Sequence, residues 1–193
     1  MKVKRFAASI AAACMFSSVA ALAQQGFRQH DAHEHGTAQL NVAVDGNQLL
    51  IELSSPAANL VGFEHEPTSD EDIDQATTAA QVLHDASQMF ATPFAANCAI
   101  DRVKVEMPWD LQGSLKPGTL PAEQHAAHEH DHGDHSDIEA EYSYTCGNPE
   151  SLTELDMVLF QTFPATERAH VQYITATNQG SVELTTYNRQ LRF

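Results

Sequence analysis

Residues 38–53 read A-Q-L-N-V-A-V-D-G-N-Q-L-L-I-E-L, two alternating runs either side of a turn. Ala38, Leu40, Val42 and Val44 alternate with Gln39, Asn41 and Asp45, the two-residue period of a strand buried on one face. Asp45-Gly46-Asn47 is a hairpin turn signal, after which Leu49, Ile51 and Leu53 resume the alternation. The domain therefore opens with a β-hairpin.

Downstream, Thr68-Ser69-Asp70-Glu71-Asp72 supplies an N-cap and first-turn acids that suit a helix dipole. Ile73, Ala76, Ala80, Leu83, Ser87 and Phe90 then fall on one helical face until Pro93 ends the run; His84 lies at the edge of that stripe as a boundary residue. Two strands follow, at about Cys98 to Met107 and Ile138 to Cys146. Pairing them antiparallel with Cys98 opposite Cys146 puts Glu106 opposite Ile138 and makes the intervening residues one long loop. Further on, Glu154 to Phe160 reads as a strand, and Arg168 to Ala176 and Val182 to Tyr187 flank a turn at Asn178-Gln179-Gly180. The sum is an α+β domain, a largely antiparallel sheet packed against one main helix, with a flexible insertion over residues 108–137. Strand order does not follow from the pattern.

That insertion contains the chemistry. Residues 125–135 read H-A-A-H-E-H-D-H-G-D-H: His125, His128, His130, His132 and His135 are interleaved with Glu129, Asp131 and Asp134. Neutral imidazole suits borderline divalent cations such as Zn(II), and neighbouring carboxylates supply hard ligands or orient the rings. The tract packs no core, and its internal position and irregular spacing distinguish it from a purification tag. Several sets of three or four imidazoles could serve, so no single geometry is specified. His130 to His135 also matches the H-x-H-x-D-H string of metallo-β-lactamase-type hydrolases. Those sites follow a buried strand, whereas Leu115 to Pro121 is turn-rich, so the chain reads as a binding protein and not an enzyme.

The chain begins as an exported one does. Lys2, Lys4 and Arg5 precede the small, apolar run from Phe6 to Val19, and Ala21-Leu22-Ala23 is a cleavage site, giving a signal peptide over residues 1–23 and a single domain over 24–193. Ala11-Ala12-Ala13-Cys14 is a poorer, lipoprotein-like alternative. No later run approaches the ~20 apolar residues that span a bilayer. Losing Lys2, Lys4 and Arg5 takes the net charge from −16 to −19, which disfavours nucleic acid and anionic membranes and favours cations. Cys14 departs with the leader. Cys98 and Cys146 remain, form no C-x-x-C pair, and most simply make one disulfide in an oxidising compartment.

A second histidine cluster precedes the opening hairpin. His30, His33 and His35 lie there, and an extended backbone points His33 and His35 to one side as H-x-H metal sites require. Phe63-Glu64-His65-Glu66-Pro67 returns from the second strand towards them, so His65, Glu64 or Glu66 could complete a site; a polar terminus is the alternative.

The same segments carry a resemblance. His33 to Ala38, Ser55 to His65, Gln161 to Pro164, Val171 to Thr175 and Leu191-Arg192-Phe193 resemble the ZrgA family of exported bacterial proteins, across nearly the whole chain after residue 23. The cysteine pair and the His-rich insertion fit too, while Tyr173 stands where Trp is expected. The resemblance implies a periplasmic zinc-binding accessory to a high-affinity importer and supplies no catalytic residues; the expected role is to capture zinc and hand it to the substrate-binding protein of an ABC importer. A zinc, copper or nickel buffer without a delivery partner is the alternative. Few soft ligands argue against Cu(I), while Ni(II) and Cu(II) remain compatible with the ligand types.

Overall fold

The computed structural model describes residues 34–111 and 136–193. Strands β1 (Thr37–Asp45) and β2 (Gln48–Pro56) form the opening hairpin, with Leu40 opposite Leu53 and Val42 opposite Ile51. Gly46 takes a φ of 58° in the turn, a conformation that costs glycine nothing. A one-turn helix, α1 (Ala57–Leu60), follows directly, and then the main helix α2 (Asp70–His84). The short β3 (Phe90–Ala91), then β4 (Cys98–Glu106), β5 (Asp137–Cys146), β6 (Glu154–Met157), α3 (Leu159–Thr162), β7 (Arg168–Ile174), β8 (Gln179–Thr185) and β9 (Gln190–Arg192) complete the chain.

Six strands make the main sheet in the order β4-β5-β2-β1-β7-β8, and β3-β6-β9 make a smaller one. All neighbours are antiparallel except β1 and β7, which run parallel with Leu40 beside Val171. Alternation in β1, β2 and β5 buries Leu40, Val42, Ile51, Leu53, Ala140 and Tyr142, while Gln39, Asn41, Glu52 and Glu139 face solvent. Against the buried face lies α2, turning in Ala76, Ala79, Ala80 and Leu83. Burying Leu83 alone is worth ~2 kcal/mol. The Tyr142 hydroxyl, which burial holds in its neutral form well above the usual phenol range, donates to the Leu83 carbonyl at 2.8 Å.

Several expectations change. The helix ends at His84 and not near Phe90: the Asp85 side chain accepts the Ser87 amide to start a 3-10 turn, and Phe90 is buried as a β3 residue paired with Met157. Glu106 lies opposite Glu139, not Ile138, because the ladder shifts by one residue between Ile100 and Arg102, leaving Asp101 extra in β4. Residues after Met157 leave the strand to form α3. The turn between β7 and β8 falls at Thr175 to Asn178, ahead of Gly180, which lies within β8 under the Tyr173 ring; a Cβ there would come 2.9 Å from that ring. Cys98 and Cys146 stand opposite each other and are disulfide-bonded, as expected.

Candidate metal-handling end of the sheet

Register fixes which residues share an end of the molecule. Pro56 pairs with Asp137, Gln39 with Ser54, Glu106 with Glu139 and Thr37 with Arg168. Strands β2 and β4 thus finish, and β1, β5 and β7 start, at one end of the sheet. At that end the His-rich segment leaves and re-enters. On its exit side Leu111 is buried and Trp109 lies 5.4 Å from the Phe63 ring; on its entry side the Ala57 amide donates to the Ser136 carbonyl at 2.8 Å.

The local sequence explains how His35 is held. Glu34-His35-Gly36-Thr37 closes as a turn with Thr37 N donating to Glu34 O at 3.0 Å, and Gly36 adopts the positive φ, 82°, that such a turn needs. The extended H-x-H backbone expected here is therefore not found at His35. Asn59, buried at 4% exposure in α1, secures the turn: its Oδ1 accepts the Gly36 amide at 2.7 Å, and its Nδ2 donates to Thr37 O and Ser55 Oγ, both at 3.1 Å. Arg168 adds an ion pair to Glu34 at 2.5 Å.

His35 Nε2 meets Glu64 Oε1 at 2.9 Å. A carboxylate only accepts, so the ring presents its Nε2–H to Glu64, and in neutral imidazole Nδ1 keeps the lone pair a metal would use. His65 has a carboxylate of its own, Asp72 Oδ2 at 3.5 Å, and its ring stacks 4.7 Å from Phe63. The Ser69 hydroxyl, which caps α2, and then His65 hold the Asp72 carboxyl below its ordinary range. Both histidines are thus oriented as metal-ligating imidazoles commonly are, by a carboxylate on one ring nitrogen.

Among the described residues no group of three or more His, Cys, Asp or Glu converges on one point. The two histidines stand in two separate pairs. His30 and His33 lie outside the described residues, as do His125, His128, Glu129, His130, Asp131, His132, Asp134 and His135, together with residues 1–23. His170 is half-buried on β7, 3.9 Å from Glu183 across the strands. Asn59, Asp72 and Trp109 position this end, and none was a site residue from sequence. Asn59 could have been suspected as the lone amide inside the apolar run Ala57-Ala58-Asn59-Leu60-Val61. No helix among the described residues is long and apolar enough to cross a membrane.

Compared with known proteins, the chain finds no match among curated ones. The model of the ZrgA family of zinc uptake proteins does match, over residues 32–193, which takes in every described element. The two carboxylate-held histidines, the frame that carries them and both anchors of the His-rich segment all lie within that span. The chain therefore belongs to the ZrgA family of zinc uptake proteins.

Proposed function

We propose that this protein is exported to the periplasm and captures Zn(II) there. The ligands are His125, His128, His130, His132 and His135, aided by Glu129, Asp131 and Asp134. It then passes the ion to the substrate-binding protein of an ABC importer and catalyses no reaction of its own. The observation that supports this reading is the shared sheet end: both anchors of the His-rich segment, Leu111 and Ser136, lie at the end that carries the His35–Glu64 and His65–Asp72 pairs. A multi-histidine segment lets zinc leave by stepwise ligand exchange, where one closed tetrahedral site would retain it. The acidic chain, at −16, adds a long-range attraction for cations. Growth under zinc limitation tests the reading: a deletion strain should grow poorly only where the importer is present to be served. An equal defect without the importer would replace delivery with passive buffering.

A further inference from the structure

Two of the stretches that carry the family resemblance, Ser55 to His65 and Gln161 to Pro164, contain apolar side chains that can play no part in holding metal. They meet α2 around an open groove of ≈ 690 Å³, lined by Leu60, Val61, Ala79, Val82, Phe163 and Pro164. Its rim is acidic. Glu71 and Asp74, three apart on the exposed side of α2, belong to the lining; no Lys or Arg does, and neither acid is ion-paired among the described residues. The groove is also continuous with the metal-handling end: Asn59 lines it while holding the Gly36 amide, and Gly62 lines it two residues before Glu64.

An apolar floor under an acidic rim suits a protein segment that projects an apolar side chain flanked by Lys or Arg. A second copy of this chain, at −16, is opposed by charge. We propose that the groove is the docking site for the protein that receives the zinc, an inference that rests on the delivery reading above. A partner seated there touches the Asn59–Gly62 stretch, whose Asn59 side chain also holds the turn that presents His35.

The probe is the purified, zinc-free substrate-binding protein of the cell's zinc importer, titrated against protein purified from cells expressing the full chain. One variant, Glu71→Arg with Asp74→Arg, reverses the rim; a second, Thr78→Trp, fills the groove from an exposed position on α2. Each should weaken binding at least tenfold with zinc stoichiometry unchanged; Thr78→Trp should keep the wild-type melting temperature, the double Arg variant should lower it slightly because it places cations at the start of α2, and wild-type binding should weaken as salt rises. Wild-type affinity in both variants would overturn the groove while leaving delivery intact. No binding by the wild-type protein would defeat the delivery reading and the docking site together.

Discussion

Asn59 Oδ1 accepts the Gly36 amide at 2.7 Å, so one buried side chain ties the start of β1 to the end of β2 and fixes the turn that presents His35. Replacing it by Ala leaves the Gly36 amide and the Thr37 carbonyl without this partner, at a cost of about 1–3 kcal/mol. Asn59→Asp should fail similarly, since a carboxylate cannot donate to Thr37 O. Urea unfolding midpoints check both, and a wild-type midpoint for Asn59→Ala would remove this residue from the frame.

Cys98 and Cys146, separated by 48 residues, close the far end of the β4–β5 hairpin. Changing both to Ser should cost about 2–4 kcal/mol, with zinc stoichiometry preserved in the protein that remains folded. Peptide mass mapping without reductant should recover the linked pair, and two free thiols would contradict it.

Zinc binding should divide between segment and frame. Joining Leu111 to Ser136 through a short Gly/Ser connection should remove most bound zinc yet leave the protein folded, because the β4–β5 ladder and the disulfide do not depend on residues 112–135. Any site remaining in the folded part should disappear when His35 and His65 are both replaced by Ala, and until then zinc should raise the melting temperature of the shortened protein. Calorimetry showing undiminished stoichiometry would move the metal to the folded part.

Loading should depend on pH with a definite sign. Imidazole must be neutral to ligate, so bound zinc should fall as pH drops through the ordinary histidine range near ~6.5, with proton release on binding above it. Isothermal titration in buffers of different ionisation enthalpy measures that release directly.

The α2 cap has an acid signature of its own. Asp72 has a folded pKa below its ordinary 3.8, so its stabilisation is present above that value and is lost as pH falls through the folded pKa. Ser69→Ala removes the leading cause and should bring the Asp72 titration, followed by NMR, back towards 3.8. An unchanged titration would show that another group governs it.

The opening hairpin was legible because alternation and a turn signal agree on it, and the start of α2 because capping is local. The helix end was not: Phe90 continues the helical spacing by coincidence, and only its pairing with Met157 claims it for β3. Asp101 shows the same limit, since the residue that shifts the β4 register is visible only against β5. The parallel meeting of β1 and β7 joins residues about 130 apart, beyond any local pattern. At the site, histidines and acids announced themselves by type, but the pairing of His35 with Glu64 and His65 with Asp72 depends on how the chain turns at Gly36 and at Ser69.

The hairpin that carries the His-rich segment is fastened at its opposite end by the disulfide and along its length by the β4–β5 ladder. Loop closure grows only logarithmically with length, each doubling costing roughly 0.6 kcal/mol. The number of histidines between Leu111 and Ser136 is thus almost decoupled from folding. On the proposed capture role, metal capacity can be lengthened or trimmed over generations as an independent trait, while the β-scaffold on either side of the segment stays as it is.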